Sequence, residues 1–407
     1  VLACNNPGTE GKEEPFSDAE IDTEAGGEEE PVPDIDPTEI MKEVEEKTEP
    51  EEPSSLGEGD VGRIMPADIE YLGAFRLPEG SGGSDWDYSG HGLTFYPGRD
   101  AGGEGDGFPG SLYGIGHDHQ QFVSEISIPA PIVGQNLEDL NTAQTLQPFA
   151  DLNAGVFDTE MMDLPRGGLE YLPAYGGLQE DRLFFTWGQH FQYFDPSHGF
   201  ASLDLDAADA EGPFTLSGYT NYISSDYLFV IPEEWAEVYT PGMRLATGRF
   251  REGVWGGGGP ALLAYDPLSA VDGEISAVIP LLLYGEQIVG QAEISFDESQ
   301  QMDGYLLADH WWGGAWLTAG DRAAVVFVGT KALGDSWYGF SNGVVWEYDC
   351  AEQEPPTCPE YPPFPYDDRG FWAEDYQAQL IFFDTNELAQ VATGEMETWE
   401  PQPYAVL

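Results

Sequence analysis

The sequence predicts an all-β fold, and three observations support that prediction. Glycine (51 residues), proline (31) and aromatic residues (13%) are abundant, a composition typical of short strands joined by many turns. Amphipathic helical patterns are scarce along the 407 residues. A loose internal repeat of short strands recurs at wide and uneven intervals, which favours a β-propeller. A β-sandwich, or two packed sheets, is the alternative.

The propeller prediction depends on three kinds of strand that recur in the same order. The first, or entry, strand begins with glycine, because inner strands crowd around the axis and a missing side chain allows close approach. The second strand ends in glycine followed by polar residues. The repeat favours five blades, with six or seven as alternatives, and large loops between strands. The entry strands are predicted at residues 91–95, 167–171, 259–263 and 313–317, the second strands at 112–117, 184–190 and 325–331, and the third strands at 123–128, 201–205 and 378–383.

Three further local features are readable. Residues 71–78 are predicted to form an initial strand that is closed by a proline. The segment 231–235, Ile-Pro-Glu-Glu-Trp, predicts a short helix, because proline and glutamate suit a first helical turn. Cys350 and Cys358 flank a polar loop with two prolines, which predicts a disulfide in a secreted protein.

The charge balance limits the partners of the chain. Asp and Glu (75) outnumber Lys and Arg (14), giving a formal net charge of −61. This charge repels phosphate backbones and anionic membrane surfaces, so we expect no nucleic-acid binding. Most of the carboxylates are expected to form a solvated surface. No cofactor is indicated with certainty; calcium or another divalent metal is an alternative role for groups such as Asp204, Asp206 and Asp209, although no EF-hand spacing is present.

Residues 1–61 are predicted to be a disordered acidic linker, ahead of a propeller domain at residues 62–407. Val1-Leu2-Ala3-Cys4 resembles the end of a bacterial lipoprotein signal peptide, in which Cys4 would become the lipidated N-terminus. The linker is rich in Glu, Pro and Gly and poor in aromatic residues, so it cannot bury enough surface to fold. We therefore expect an exported protein of the bacterial cell envelope or exterior, held at the membrane only through Cys4.

Histidines and one arginine indicate a candidate site, although no established catalytic motif is present. If the glycines that end the second strands are equivalent, the polar residues after them lie on one ring around the central axis of the propeller. These residues then converge at one end of the central channel. The aligned glycines are Gly116, Gly188 and Gly329, followed by His117, Asp118, Gln189, His190, Thr330 and Lys331. The candidate catalytic residues are His91, His117, Arg166 and His190, and the candidate binding residues are His119, His310, Trp311 and Trp312.

The chemistry of this constellation stays open between three alternatives. One histidine could act as a base while Arg166 neutralises an anionic substrate. His117 and His119 face one side of a strand and could bind a metal with a carboxylate from another blade. In the third alternative the histidines only hydrogen-bond neighbouring blades. The rings of Trp311 and Trp312 suit either sugar stacking or core packing.

Several segments together resemble a family of uncharacterised secreted bacterial proteins. They are YLGAFRLP (71–78), GHDHQQFVSEISIP (116–129), IPEEW (231–235), GPALLAYDP (259–267) and TWEPQPYAV (398–406). The resemblance spans residues 71–406 with gaps and implies a propeller-like fold and export. It implies no catalytic residue, because no activity is established for that family.

Two function hypotheses follow. The first is an exported carbohydrate-active propeller, a lyase or hydrolase of an acidic polysaccharide, which requires His91, His117, Arg166 and a tyrosine in one pocket. The second is a non-catalytic cell-surface binding or scaffold propeller, in which scattered polar groups satisfy one another. In both cases the expected partner is an extracellular polysaccharide or another small ligand. A propeller fold by itself does not decide between them.

Overall fold

The computed structural model confirms that the chain is mostly β, with two α-helices in the part it describes. It describes residues 61–99, 108–118, 120–153, 155–156, 167–188, 194–249, 256–287, 294–295, 297–347, 350–351, 353 and 356–407. Residues 1–60 of the linker predicted at residues 1–61, including Cys4, lie outside these residues, and so do His119, Arg166 and His190. No helix among the described residues is long and apolar enough to cross a membrane.

Four small sheets form a propeller arrangement, with strands numbered in chain order. Blade 1 contains β2 (Leu93–Tyr96), β3 (Ser111–Ile115), β4 (Val123–Ser127) and β5 (Thr145–Ala150). Blade 2 contains β6 (Leu169–Leu172), β7 (Arg182–Thr186), β8 (His198–Ala201) and β9 (Glu211–Leu216), extended by β14 (Glu274–Ile275) and β13 (Ala270–Val271). Blade 3 contains β10 (Tyr227–Val230), β11 (Leu245–Gly248), β12 (Leu262–Tyr265) and β15 (Val278–Leu282). Blade 4 contains β18 (His310–Ala319), β19 (Arg322–Phe340), β20 (Arg369–Phe383) and β21 (Ala405–Val406), with β1 (Gly62–Arg63) beside β19.

The remaining elements are a hairpin and two helices. Strands β16 (Glu286–Gln287) and β17 (Ile294–Ser295) form a separate two-stranded sheet. Helix α1 (Glu233–Tyr239) confirms the helix predicted after residue 231. Helix α2 (Thr385–Thr393) was not predicted. The described residues therefore show four blades, and the prediction of a fifth is not confirmed.

Glycines at the inner strands have the predicted role. The inner strands β2, β6, β10 and β18 contact one another in that order. A Cβ atom at Gly92 would lie 3.0 Å from the amide nitrogen of Leu169, and one at Gly168 would lie 2.7 Å from that of Leu228. Only glycine lets these backbones approach so closely. The starts of the first three inner strands consequently lie at the same end of the propeller.

Three strand predictions are wrong. Residues 201–205 are not a third strand, because β8 ends at Ala201 and Leu205 begins a 3-10 helix. Residues 259–263 are not an entry strand, because β12 lies third in blade 3, between β11 and β15. The true inner strand is β10, which Ser225 and Asp226 precede in place of a glycine pair. Residues 71–78 form no strand and make only isolated bridges, through Ala74 and Arg76.

The repeat alignment through the glycines is wrong by one residue. The amide of Ile115 donates to the Gly92 carbonyl, and the amide of Thr186 donates to the Gly168 carbonyl. Ile115 and Thr186 are therefore equivalent, and Gly116 corresponds to Trp187 rather than to Gly188. Because strand side chains alternate, this shift moves the following residues to the opposite face.

The apolar core lies between blades rather than at one centre. The largest cluster joins blades 3 and 4 through residues such as Tyr227, Leu262 and Phe327. A second cluster joins blades 2 and 3, and a third joins blades 1 and 2. Burying large apolar side chains between sheets is the main contribution to stability in such an arrangement.

Blade 4 brings together the first described residues and the end of the chain. Strand β1 runs parallel to β19, and β21 pairs with β20 on the same sheet. The Arg63 guanidinium lies 2.6 Å from the Asp384 carboxylate at the start of α2. The Tyr404 hydroxyl donates to the carbonyl of Ile64. These contacts fasten residues 61–64 to the C-terminal part of the domain.

A long hairpin of β19 and β20 extends from blade 4. Its far end carries an aromatic cluster in which the Arg369 guanidinium lies 4.5 Å from the ring centre of Trp346. Tyr361 packs against the same tryptophan. The loop of this hairpin contains the Cys350–Cys358 disulfide, which confirms the predicted pairing.

Candidate functional site

An open cleft of about 380 Å³ lies beside blade 1. Its lining contains the predicted residue His117, together with Gly83, Ser84, Asp85 and Gln120. Clefts of this size are typical of small-molecule sites. We call this cavity the His117 cleft.

A tight turn forms one wall of the His117 cleft. Ser81 and Ser84 exchange two backbone hydrogen bonds of 3.0 Å. Between them, Gly82 and Gly83 have φ values of 58° and 89°, the left-handed backbone that a two-residue hairpin turn requires. The sequence Ser-Gly-Gly-Ser therefore fixes Ser84 at the edge of the cleft.

The next residues pack against the end of β3. The His117 amide donates a 2.9 Å hydrogen bond to the Asp85 carbonyl. A Cβ at Gly116 would lie 2.6 Å from that same carbonyl oxygen and 2.4 Å from the Phe149 ring. Trp86 lies against Phe149, with ring centres 4.6 Å apart. Glycine at position 116 thus permits the contact that forms the cleft.

His117 is held between a carboxylate and an aromatic ring. Its Nδ1 atom lies 3.2 Å from Asp118 Oδ1. The ring of Tyr88 approaches the imidazole edge-on, with 5.3 Å between ring centres. A carboxylate beside Nδ1 orients an imidazole, which is the arrangement used by histidines that transfer protons.

Two residues near the cleft adopt left-handed backbone. Tyr88 has φ of 57° and Gln121 has φ of 55°. For a bulky residue such as tyrosine this conformation is strained, and strain of this kind is concentrated at functional sites. Gln121 is buried and donates from Nε2 to the Asp118 carbonyl over 2.7 Å, which closes the turn after β3.

A second polar region lies where blades 2 and 3 meet. Arg249, directly after β11, is buried, and its Nε lies 3.5 Å from Asp226 Oδ1. Its Nη1 donates to Ser225 Oγ over 3.3 Å, and its guanidinium covers the ring of Tyr222 at 5.0 Å. A Cβ at Gly188 would lie 2.1 Å from Ser225 Oγ. These residues are closely packed and leave little room for a ligand between them.

His198 was not among the sequence candidates, and its contacts are structural. It is buried on β8, with Ser197 Oγ 2.9 Å from Nδ1 and Thr247 Oγ1 3.4 Å from Nε2. Thr247 donates its own proton to the Ser224 carbonyl, so Nε2 is the protonated nitrogen of His198. Desolvation lowers the pKa of His198 to about 3, which keeps the ring neutral.

One carboxyl group on an inner strand is strongly desolvated. Burial raises the pKa of Glu170, on β6, to about 8, although a hydrogen bond with Thr94 opposes the shift. Glu170 is therefore mostly protonated at neutral pH. It does not line the His117 cleft.

The predicted site residues are distributed over several places. His91 directly precedes Gly92 and lies at the same end of blade 1 as His117. His310 and Trp312 pair with each other in blade 4, where Trp312 Nε1 donates to His310 Nδ1 over 3.1 Å. Trp311 is fully buried in the cluster between blades 3 and 4, so it presents no ring face to a ligand. His119, Arg166 and His190 lie outside the described residues.

The metal alternative at His117 and His119 lies partly outside the described residues, because His119 is not among them. No group of three His, Cys, Asp or Glu side chains among the described residues is placed to hold an ion. Asp204 instead accepts a hydrogen bond from the Asp206 amide, and Asp209 pairs with Arg182 at 2.7 Å. The carboxylates that the sequence brings close together therefore have structural contacts.

Three residues at or beside the cleft were not predicted from the sequence: Ser84 and Asp85 line it, and Tyr88 contacts His117. The Ser-Gly-Gly-Ser turn was a usable signal for the first of them, because paired glycines favour a two-residue hairpin turn. Nothing local indicated Tyr88, since its contact with His117 joins distant parts of the sequence. Comparison with protein-family models, curated proteins and solved structures found no match to this chain.

Proposed function

We propose that this protein is an exported propeller that binds a carbohydrate in the His117 cleft. The observation that carries the proposal is an open cleft lined by His117, with the exposed ring of Tyr88 beside the imidazole. Sugar rings are bound by aromatic faces together with a few fixed polar groups. The cleft offers the polar groups, and Tyr88, in contact with the lining residue His117, offers an aromatic ring beside it.

The His117–Asp118 pair favours chemistry over binding alone. An imidazole with a carboxylate 3.2 Å from Nδ1 is suited to general acid–base catalysis. This supports an enzyme that cleaves the glycan, the reaction class of the first sequence hypothesis. That hypothesis also places His91, Arg166 and His190 in the catalytic site. We propose this role for them as well.

A non-catalytic binding or scaffold propeller is the second candidate. It uses the same cleft but needs no proton transfer. Its support is Tyr88, whose exposed ring next to polar groups suits binding even without turnover. The two candidates differ only in whether the bound glycan is cleaved.

The proposal of export is supported by the disulfide Cys350–Cys358, because disulfides persist in oxidising compartments. We further propose that residues 1–61 act as the acidic linker and that Cys4 carries a lipid anchor. Mass spectrometry of the cell-derived N-terminal peptide tests the anchor. A diacylglyceryl mass on Cys4 supports it, and an unmodified Cys4 in the mature protein contradicts it.

A binding experiment on the full chain tests the main proposal. Calorimetry against a panel of neutral and acidic oligosaccharides should find at least one ligand, and His117→Gln should weaken its affinity at least tenfold. His310→Gln, in blade 4, is the matched histidine control and should bind as the wild type does. Absence of any glycan ligand, or a wild-type affinity for His117→Gln, would refute the proposal.

Incubation with the bound glycan then separates enzyme from binding module. New reducing ends, or the absorbance of an unsaturated product, identify a hydrolase or a lyase. If His117→Gln loses turnover while Tyr88→Phe keeps it, His117 is the residue that transfers a proton during cleavage of the glycan. Intact glycan after prolonged incubation with a binding-competent protein identifies the non-catalytic alternative.

A further inference from the structure

We infer that the His117 cleft selects an uncharged, hydroxyl-rich sugar ring rather than the acidic polysaccharide that the sequence suggested. The inference rests on the proposed function, because it names the class of carbohydrate that the same cleft accepts. Three features of the described residues carry it: the charge of the lining, a buried hydroxyl without a partner, and the fixed ring of Tyr88.

The charge around the cleft does not suit an anionic ligand. Asp85 is exposed at the lining, and Asp118 lies against His117. A carboxylate therefore lies beside the one imidazole among the described lining residues. No Lys or Arg is found among the described residues that line the cleft. A carboxylate or sulfate ligand would meet Asp85 within a chain of −61 net charge.

Ser84 supplies the second feature. It is only 9% exposed, and its Oγ makes no hydrogen bond with any described residue. Its backbone amide and carbonyl are already engaged with Ser81. A buried hydroxyl left without a hydrogen bond destabilises the structure that holds it. Ser84 Oγ is shielded from solvent, but Ser84 lines the cleft, so a small shift of the turn at residues 81–84 would let a ligand hydroxyl donate to this group and accept from it.

The other polar groups of the lining also match hydroxyls. Asp85 presents a carboxylate, of which Oδ1 already accepts a 3.0 Å hydrogen bond from the Asp87 amide. Gln120 presents an amide, and its Nε2 donates a 3.3 Å bond to the Gly83 carbonyl. The lining thus combines the carboxylate of Asp85, the amide of Gln120 and the hydroxyl of Ser84. Together these groups fit a ligand whose own groups both donate and accept hydrogen bonds. Sugar hydroxyls have this property and anionic groups do not.

Tyr88 supplies the third feature. The residue is 64% exposed although its backbone is left-handed, with φ of 57°. Such strain persists where the surrounding structure requires it. The T-shaped contact with His117 holds the ring, and much of its surface stays open to solvent. The apolar face of a neutral sugar ring suits that surface.

Calorimetry with matched ligands tests the charge preference. The full chain is titrated with neutral hexasaccharides (cellohexaose, xylohexaose and mannohexaose) and with acidic ones (hexagalacturonate and hexamannuronate), at 20 mM and 500 mM NaCl. We expect at least one neutral ligand to bind at least tenfold more tightly than every acidic one. Its affinity should change less than twofold between the two salt concentrations.

Variants of the lining test the residues. Tyr88→Asn removes the ring, and asparagine tolerates the left-handed backbone at this position. This variant should lower the affinity for the neutral ligand at least tenfold. Tyr88→Phe should keep the affinity within threefold. Ser84→Ala should weaken binding about threefold to tenfold without lowering Tm, because it deletes a hydroxyl that makes no hydrogen bond with any described residue. Tyr366→Ala, an exposed tyrosine in the loop between β19 and β20, is the control and should bind normally.

The failures of the two proposals are distinguishable. Tighter binding of an acidic hexasaccharide, strengthened at low salt, overturns the inference and leaves the proposed carbohydrate function standing. Neutral binding that Tyr88→Asn and Ser84→Ala both leave unchanged also overturns it. Absence of binding to every glycan in both sets overturns the carbohydrate function itself, and the inference with it.

Discussion

The backbone amide of His117 donates a 2.9 Å hydrogen bond to the carbonyl of Asp85, and this contact joins the turn at residues 81–84 to the end of strand β3. The two residues are 32 positions apart in a chain whose blades are otherwise built from neighbouring strands. Both line the His117 cleft. The cleft therefore exists because an irregular segment ahead of blade 1 folds back onto the blade.

Gly116→Ala should disrupt this contact. The added Cβ would lie 2.6 Å from the Asp85 carbonyl oxygen and 2.4 Å from Phe149, so the segment must move away. We expect a loss of about 1–3 kcal/mol in the free energy of unfolding, together with weaker glycan binding. Denaturant unfolding and calorimetry measure both effects.

Gly134→Ala is the matched control for that substitution. Its Cβ would meet no atom closer than 3.5 Å, and its backbone is not left-handed. It should change stability by less than about 1 kcal/mol. Equal losses for both variants would show that the space around Gly116 is not what shapes the cleft.

The buried histidine of blade 2 should make folding sensitive to acid. The pKa of His198 is lowered to about 3 by desolvation, against an ordinary value of 6.5. Because the unfolded chain binds this proton more readily, the stabilising contribution is present above pH 6.5 and is lost as the pH falls towards 3. The loss between pH 7 and pH 4 is about 3 kcal/mol for this group alone.

Comparison with His198→Gln isolates this group from the many carboxylates that also titrate. Glutamine retains a donor and an acceptor but cannot take up the proton. The variant is expected to be less stable than the wild type at pH 7, and the difference should shrink as the pH falls to 4. Denaturant unfolding at several pH values measures it, and parallel pH profiles for the two proteins would contradict the prediction.

The ion pair between Lys331 and Asp309 in blade 4 should contribute far more to the free energy of unfolding than an exposed ion pair does. Lys331 Nζ lies 2.8 Å from Oδ1 of Asp309, whose side chain is fully buried. Lys331→Met leaves that carboxylate buried without its cation, a change that costs roughly 3–5 kcal/mol. Urea unfolding at pH 7 measures the loss.

The pH dependence of that variant has a definite sign. Burial raises the pKa of Asp309 and Lys331 opposes the rise, so removing the lysine raises this pKa further. A carboxyl group whose pKa is raised in the folded state destabilises that state when it is ionised, and protonation removes this penalty. The difference in the free energy of unfolding between the wild type and Lys331→Met should therefore shrink on going from pH 7 to pH 4. Arg322→Met breaks the exposed pair with Asp68 and should cost about 1 kcal/mol or less. A similar cost for both variants would contradict the role of burial.

Much of the fold was predictable because blade strands carry local patterns. Strands β3, β4 and β7 lie where short apolar runs ending near glycines predicted them. Strand β10 was missed because Ser225 and Asp226 stand where other entry strands carry glycine, so the repeat gave no signal there. The cleft was only half predictable: His117 was found as a rare residue after a strand, but its neighbours Ser84 and Tyr88 come from a segment that carries no strand pattern. Long-range packing, which local sequence does not encode, decides that contact.

The start of the folded domain was predicted at residue 62, and the contacts there explain the boundary. The Val61 amide donates to Asn386 Oδ1 over 3.0 Å, and Asn386 Nδ2 donates to the Val61 carbonyl over 2.7 Å. One side chain thus satisfies both backbone groups of the first described residue. Arg63 adds the ion pair with Asp384 on the same helix start.

Limited proteolysis should therefore remove residues 1–60 and stop near Val61, because a protease needs a backbone segment free of such hydrogen bonds. Asn386→Ala removes both bonds, and trimming should then continue past Val61 towards Met65, with a loss of about 1–2 kcal/mol in the free energy of unfolding. Asn136→Ala is the control, because this exposed side chain donates to nearby Asp139 and lies far from Val61 in sequence, and the variant should give the wild-type fragment. Mass spectrometry of the products locates the new N-terminus. Protection of residues 10–55, or first cuts inside residues 62–407, would show that the boundary lies elsewhere.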